Sequence, residues 1–219
     1  MTRIKLLSIV VLALVCAFPS AEVSKAQQYP ENAYQEMRWR MIGPTRGGRT
    51  RASCGVPSEP NVFYVGAVNG GVWKTDDYAR TWTPIFNEEP TQSIGAIAVA
   101  LSDPNTIYVS SGEGLARPDL AVGDGIYKST DAGKTWTHLA ALRDSQGIPA
   151  LAVDPHDANR VFAAVLGHPY GPNEERGIYL STDGGANWKK VLSKGENVGG
   201  SDVEIDSGNP EVVYAGMWE

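Results

Sequence analysis

The sequence predicts an all-β protein, a β-propeller of four-stranded antiparallel blades, on the strength of three observations. A turn motif ending in tryptophan occurs three times, and a second turn motif leading to an aromatic residue occurs four times. Both series advance along the chain by about the length of one propeller blade. No amphipathic helical pattern of useful length interrupts them. Because radial repetition hides most sheet edges, a propeller is the architecture that such a pattern favours.

The first motif predicts a hydrogen-bonded turn between two strands. It reads STDAGKTW at 129–136, STDGGANW at 181–188 and, with alanine where the others have glycine, TDDYARTW at 75–82. Short oxygen-bearing side chains accept hydrogen bonds from nearby backbone N–H groups, and glycine supplies the positive φ of a tight reversal. We expect each tryptophan to lie back across its own hairpin. The residues assigned to this structural turn are Thr75, Asp77, Trp82, Ser129, Asp131, Gly133, Trp136, Ser181, Asp183, Gly185 and Trp188.

A structural turn is a better interpretation of these aspartates than a catalytic or calcium-binding site. The carboxylates of Asp131 and Asp183 are already used by the local backbone if the turn forms as predicted. The three histidines of the chain have no metal-like spacing, so we assign no metal site and no cofactor.

The second motif marks the second strand of each repeated unit. Its aromatic positions are Tyr64, Tyr108, Phe162 and Tyr214. In the second unit, the pattern predicts strands at 96–101, 106–110, 125–129 and 135–139. The predicted blades cover 39–86, 92–141, 147–192 and, with two strands only, 199–219.

Three and a half blades do not close a ring. We therefore expect the sequence to be the N-terminal piece of a longer propeller, with the remainder C-terminal to Glu219. Without that remainder, the two-stranded edge that ends near Trp218 would be exposed.

The first 26 residues predict export. Residues 1–26 combine a basic start, an apolar run too short to anchor in a bilayer and a small-residue cleavage site, followed by a lead-in at 27–38. The expected location is secreted or periplasmic. The formal net charge is −6 and becomes about −8 without the leader, which argues against nucleic acid as a partner. No later apolar run predicts a membrane span.

The repeated turn also carries a family resemblance. The S-x-D-x-G-x-T-W pattern resembles the Asp-box, or BNR repeat, and its combination with the second motif resembles sortilin/Vps10-like and glycoside-hydrolase-like propellers. The opening WRMIGPTRGGR at 39–49 is similar to the start of a group of exported bacterial proteins of that kind. The resemblance covers 39–219 and implies a propeller fold, which occurs in enzymes and in receptors alike.

Two long loops of the predicted propeller are candidates for ligand binding. In a blade, the loops between the second and third strands emerge opposite the tryptophan-ended turns. Here they are 111–124 and 166–176, and loops held by a rigid frame concentrate binding residues. The candidates on them are Glu113, Arg117, Asp124, His168, Tyr170 and Glu175.

Charged residues on the first strands form a second set of candidates. Asp202 and Glu204 stand where the second and third units have alanines, and Arg46, Arg49 and Arg51 lie at the head of the first unit. Charged groups in a packed position cost free energy unless they are paired. They pair with one another, pair with neighbouring loops, or meet a ligand in the central channel.

Two functions remain open. The first is a binding module that holds a peptide, protein or glycan in the channel or on the loop face. The alternative is a glycoside hydrolase with Asp202 and Glu204 as candidate carboxylates and its other catalytic residues beyond Glu219. The resemblance to xyloglucan-active Asp-box hydrolases implies a catalytic aspartate two residues before the GGVWK run at 70–74, where this chain has Val68. Because valine cannot transfer a proton, the binding module is favoured.

Overall fold

The computed structural model describes residue 30 and residues 48–114, 120–168 and 170–219. The chain divides into two compact units, 1–40 and 41–219, and of the first only the exposed Pro30 is described. The predicted leader and lead-in lie outside the described residues. In the described part of the second unit, every regular secondary-structure element is a β-strand. No helix there has the length and apolarity needed to cross a bilayer.

Fourteen strands of the described residues form four antiparallel sheets. Three sheets have four strands in chain order, and the fourth has two. The strands are β1 Thr50–Val56, β2 Glu59–Ala67, β3 Gly71–Thr75, β4 Thr83–Pro84, β5 Ile94–Val99, β6 Ile107–Ser111, β7 Ile126–Ser129, β8 Thr137–His138, β9 Ala150–Val153, β10 Val161–Val165, β11 Gly177–Ser181, β12 Lys189–Leu192, β13 Gly199–Ile205 and β14 Val213–Trp218.

The sheets stand side by side around a common channel. The first strands of successive sheets are neighbours, with β1 beside β5, β5 beside β9 and β9 beside β13. Each hydrophobic cluster lies between two successive sheets, so the core is divided among the inter-sheet contacts. The prediction of an incomplete all-β propeller with about three and a half blades is confirmed.

The middle strands are buried on both faces. Every residue of β6 and of β10 is buried, which explains why these strands read as apolar runs rather than as alternating patterns. The sheets also approach each other closely. A Cβ atom at Gly66 would lie 2.5 Å from Cγ2 of Ile94 in the next sheet, so only glycine fits there.

A tyrosine on the second strand reaches across to the next sheet. The hydroxyl of Tyr108 donates to the carbonyl of Ala158 at 2.9 Å, and the hydroxyl of Tyr64 donates to the carbonyl of Ala132 at 3.5 Å. Burial raises the pKa of Tyr64 to about 12 and also raises the pKa of Tyr108. These aromatic residues therefore join one sheet to the turn of the sheet that follows.

The tryptophan-ended turns are closed by a repeated set of side-chain hydrogen bonds. In the second copy, the hydroxyl of Ser129 donates to Asp131 Oδ1 at 2.7 Å and accepts the N–H of Gly133 at 2.9 Å. Asp131 Oδ1 accepts the N–H of Lys134 at 3.0 Å and that of Thr135 at 2.9 Å. In the other two copies, the Ser or Thr hydroxyl again donates to the Asp carboxylate and accepts the N–H of the residue four positions after it. The Asp carboxylate again accepts the N–H of the residue four positions after the aspartate.

This bonding shortens the fourth strand that was predicted for the second unit. Residues 135–139 were predicted as a strand, but β8 spans only Thr137–His138. The hydroxyl of Thr135 donates to Asp131 Oδ2 at 2.7 Å, so this residue belongs to the turn rather than to the strand ladder.

The tryptophan after the turn packs against the preceding sheet as well as its own. Trp136 Nε1 donates to the carbonyl of Ile85 at 2.7 Å, and its ring meets Phe86 edge to face at 5.1 Å. Trp188 donates to Gly185 in its own turn but packs within the cluster that includes Leu139 of the preceding sheet. Both rings therefore also contact the preceding sheet, which the expectation that each ring lies across its own hairpin did not include.

The turn carboxylates predict a specific dependence of stability on pH. Hydrogen bonds from the hydroxyl and then the amide of Thr135 lower the pKa of Asp131 to about 2, from an ordinary value of 3.8. Because the pKa is lower in the folded state, the stabilisation is fully present above the ordinary value and is lost as pH falls towards 2. We expect Asp131→Asn to be less stable than the parent at pH 7, with a shallower loss between pH 4 and pH 2.

Urea unfolding at a series of pH values measures this difference. Asp144→Asn is the control, since Asp144 is exposed and lies outside the three tryptophan-ended turns, and this variant should follow the parent curve. Parallel curves for Asp131→Asn and the parent would contradict the assigned role of the carboxylate.

Backbone conformation in the first copy of the turn predicts a stabilising substitution. Tyr78 and Ala79 have φ of 61° and 62°, whereas the equivalent pair in the third copy is Gly184 and Gly185. The left-handed conformation costs a residue with a Cβ about 1–2 kcal/mol, part of which is offset by the greater freedom of glycine in the unfolded chain. Ala79→Gly should therefore raise the free energy of unfolding by roughly 0.5–1 kcal/mol.

The reciprocal change is Gly133→Ala, at a φ of 86°, where a Cβ would lie 2.6 Å from Cδ1 of Ile85. It should lower the free energy of unfolding by at least about 1 kcal/mol in the same urea experiment. A loss of stability in Ala79→Gly would show that strain at this turn is not the controlling factor.

Candidate functional site

The two ends of the sheets carry different loops. The tryptophan-ended turns lie beside the turns between first and second strands, because the N–H of Ala132 donates to the carbonyl of Asn105 and that of Gly184 to Asn159, each at 2.9 Å. We call this end the turn face. The opposite end, the loop face, holds the loops between second and third strands and the segments that connect one sheet to the next. The long loops of the sequence prediction are on the loop face.

Glu113, Arg49 directly before β1 and Arg51 of β1 form a hydrogen-bonded cluster at the loop face. Glu113 is only 1% exposed, and its Oε1 accepts hydrogen bonds from Arg49 Nε at 3.1 Å and Nη2 at 2.5 Å. Arg51 donates from Nε to the carbonyl of Glu113 at 3.2 Å and from Nη2 to the carbonyl of Pro149 at 3.4 Å. The arginines thus pair with a neighbouring loop, which was one of the open alternatives. A buried carboxylate needs such a partner, and the pair ties the loop after β6 to the residue that directly precedes β1.

Asp124 is held at the base of the same loop. Its carboxylate accepts hydrogen bonds from Ser111 Oγ at 3.1 Å and from the hydroxyl of Tyr127 at 2.8 Å. The ring of His138 stacks on that of Tyr127 at 4.2 Å, and its Nε2 lies 2.6 Å from the carbonyl oxygen of Asp124. Burial and then the bond to Asp124 raise the pKa of Tyr127. These contacts give Asp124 a structural role in fixing the loop.

The loop after β10 is organised around an arginine. Arg176 donates from Nη1 to the carbonyl of Asn197 at 2.5 Å and from Nη2 to that of Gly171 at 3.1 Å. Its buried Nε has no hydrogen-bond partner among the described residues, and the same holds for Oε2 of Glu175. Tyr170 is 65% exposed on this loop. The loop therefore combines a fixed cation, unsatisfied polar atoms and an accessible ring.

A cavity of about 200 Å³ opens at the loop face between these two loops. It brings together residues of the second and third sheets, residues of the segment that connects these two sheets, and Trp218 of the fourth sheet. Its apolar wall includes Leu120, Val122 and Leu166, and its polar wall includes Glu113, His168 and Arg176. Trp218 also lines it. Glu113 and His168 were predicted candidates, whereas the apolar wall was not predicted, although the apolar run at 120–122 within this loop is a signal that could have indicated it.

Asp202 and Glu204 lie apart from this cavity. Both are exposed on β13 and line the central channel together with Arg51 and the first strands of the second and third sheets. Asp202 Oδ1 accepts the N–H of Val203 at 2.9 Å. Arg49 and Arg51 are bonded to the Glu113 loop, so the structure does not pair the predicted acidic and basic sets with each other. Val68 is buried, and its N–H donates to the carbonyl of Arg49 at 2.9 Å, as a core residue would.

Two predicted candidates, Arg46 and Arg117, lie outside the described residues. Among the residues that are described, no group of three or more His, Cys, Asp or Glu side chains could hold a metal ion.

Comparison with known proteins gives the same fold. The chain is 31% identical over 149 residues to the xyloglucanase Xgh74A of Acetivibrio thermocellus, covering 62% of this chain and 17% of that protein. It is 23% identical over 236 residues to a probable oligoxyloglucan-reducing end-specific xyloglucanase of Neosartorya fischeri, covering 82% of this chain and 27% of that protein. Among solved structures, the Niastella koreensis GH74 enzyme matches with a TM-score of 0.59 at 21% identity, covering 75% of this chain and 28% of that one.

The chain therefore spans less than a third of the length of these relatives. The resemblance to sortilin-like and glycoside-hydrolase-like propellers is confirmed by these matches and by a family match. Residues 70–200, more than half of the chain, match the Sortilin-Vps10 family, described as sortilin, neurotensin receptor 3. The chain belongs to the Sortilin-Vps10 family.

Proposed function

We propose that this protein is an exported propeller that binds a glycan segment at the cavity on the loop face. The observation that carries the proposal is the convergence of Glu113, His168 and Arg176 on one concave site that also has an apolar wall. Ligand sites are typically concave, with apolar walls and a few polar groups that orient the ligand. The carboxylates of β13 line the central channel instead, a larger space of about 530 Å³.

The chemistry of the cavity suits a sugar ring better than a strongly charged ligand. A pyranose offers one apolar face of C–H groups and a rim of hydroxyls that donate and accept hydrogen bonds. Leu120, Val122 and Leu166 can contact the apolar face, while His168 and Gln146 can bond the rim. The Glu113 carboxylate is already paired with Arg49, and both terminal nitrogens of the Arg176 guanidinium are already bonded to backbone carbonyls.

The relatives narrow the class of glycan. Two of them are named as xyloglucanases, so a β-glucan of the xyloglucan type is the first ligand to test. A peptide or protein ligand at the same face was left open by the sequence. The glycan is preferred because relatives over much of the chain are named for a polysaccharide.

A second candidate function is hydrolysis of the same polysaccharide. It is favoured by the names of the relatives and by the exposure of Asp202 and Glu204 in the channel. Against it stands Val68, a buried apolar side chain at the position where the resemblance implies a catalytic aspartate.

Binding at the loop face predicts that aromatic and polar substitutions there weaken affinity. We expect the protein to bind xyloglucan oligosaccharides in isothermal titration calorimetry, with Tyr170→Ala and His168→Ala each reducing affinity roughly three- to tenfold through loss of ring contact or hydrogen bonds. Tyr78→Ala removes an equally accessible tyrosine on the turn face and should leave affinity unchanged. If xyloglucan does not bind, or if Tyr78→Ala weakens binding as much as the two loop-face variants do, the proposed site is wrong.

The hydrolytic alternative has a separate test. Reducing-sugar release from a panel of β-glucans should be absent if the protein only binds. If release occurs, Asp202→Asn and Glu204→Gln should each lower it at least about a hundredfold when they are the catalytic pair. Release that survives in both variants would remove these carboxylates from the mechanism, and release by the parent would replace the binding-only proposal.

A further inference from the structure

A second concave surface lies on the outer side of the sheets, between the first sheet and the second. It has a volume of about 660 Å³ and is lined by residues 84–89, at and after the end of β4, and by residues 133–136 of the second tryptophan-ended turn. We call it the outer groove. It shares no residue with the cavity on the loop face. Both walls belong to complete four-stranded sheets that follow each other in the chain, so the groove is a feature of one junction between sheets.

The outer groove contains an indole ring whose position is fixed. Trp136 Nε1 donates to the carbonyl of Ile85 at 2.7 Å, and the ring meets Phe86 edge to face at 5.1 Å. Trp136 is nevertheless only partly buried and lines the groove, so part of it stays accessible to a ligand. An aromatic ring that is held in place offers a flat apolar surface at little entropic cost to binding.

Four polar side chains near this ring have donors or acceptors that the fold does not use. Asn87, Glu88 and Lys134 are exposed, and Glu89 is half-buried. In the part of the chain that the structure describes, none of the four side chains makes a hydrogen bond or an ion pair. Burial raises the pKa of Glu89, because its carboxylate has lost part of its water without gaining a hydrogen bond. A hydroxyl of a ligand would supply that bond.

The mixture of these groups favours a neutral ligand that is rich in hydroxyls. Carboxylates accept hydrogen bonds, an ammonium donates them and an amide does both, so the hydroxyl rim of a pyranose finds partners for each role. The apolar C–H face of the same sugar fits against the ring of Trp136. Since the two carboxylates outnumber the ammonium of Lys134, a cationic peptide is the other class of ligand to exclude.

The next junction between sheets lacks these features, so the fold alone does not produce them. Positions four to seven after the tryptophan read FNEE at 86–89 of the first sheet and AALR at 140–143 of the second. In the second set, the side chain of Arg143 already donates to two backbone carbonyls. Trp188 donates to its own turn, whereas Trp136 donates to the preceding sheet. The fixed ring, the amide and the carboxylates are therefore specific to the first junction.

We propose that the outer groove is a second glycan-binding site, where a pyranose stacks on Trp136 while its hydroxyls bond to the polar side chains around that ring. These side chains are Asn87, Glu88, Glu89 and Lys134. The class of glycan, a neutral β-glucan, rests on the function proposed for the loop face. The site itself does not, because its residues are separate from those of the cavity. The protein therefore holds two sugar segments, one at the loop face and one in the outer groove.

Calorimetric titration with a xyloglucan oligosaccharide counts the sites. We expect about two sites in the parent and about one in the double variant Asn87→Ala/Glu88→Ala. Lys134→Ala should weaken binding at the outer groove roughly three- to tenfold. These three side chains are exposed, whereas a change at Trp136 would also disturb the contact between the sheets. Glu59→Ala, at an exposed glutamate of β2, is the matched control and should retain both sites.

Amide hydrogen exchange with the same oligosaccharide distinguishes the two sites. Binding in the outer groove should slow exchange at 85–89 and 134–136, whereas binding in the cavity should slow it at 120–122 and 166–168. Slower exchange at the groove alone would support this site and contradict the loop-face proposal. Slower exchange at the cavity alone, or two sites retained in the double variant, would overturn the outer site. Protection of the groove by pentalysine and not by the oligosaccharide would overturn it as well, because the ligand would then be a cationic peptide.

Discussion

The packing of each second strand against the sheet that follows is the constraint on which the rest of this structure depends. A middle strand buried on both faces gains stability only when a neighbour covers the second face. Gly66 permits close approach of the next sheet, and the tyrosines of β2 and β6 bond into it. Each sheet is therefore incomplete without its successor, which is the physical content of a repeat architecture.

This frame explains why the loop face can hold a defined site. Glu113 lies in a loop of the second sheet, but its position is set by Arg49 of the first. Arg176 likewise joins the loop after β10 to the segment before β13, because it donates to the carbonyls of Gly171 and Asn197. Because Glu113 and Arg176 are each held by several hydrogen bonds, we expect these side chains to lose little freedom when a ligand binds, which reduces the entropic cost of binding.

The tryptophan-ended turns serve a different purpose. Their carboxylates accept hydrogen bonds from groups three and four residues further on, so their low pKa reflects the closing of a turn rather than reactivity. Strongly shifted pKa values are often used to locate active sites. Here, three aspartates with a pKa near 2 are on the turn face, away from the cavity on the loop face. The position of these aspartates on the turn face, and not the size of their pKa shift, separates them from the candidate site.

The sequence by itself determined the features that depend on residues close together in the chain. The repeated turns, the number of sheets and the all-β class follow from side chains that bond within about five positions and from apolar runs of strand length. Tertiary structure decided the rest. Arg49 and Glu113 are 64 positions apart, and Trp136 bonds to Ile85 at a separation of 51, distances at which no local pattern indicates the partner. Only the stacking of sheets brings Leu120 and His168 to one cavity, because that outcome depends on which sheets are neighbours.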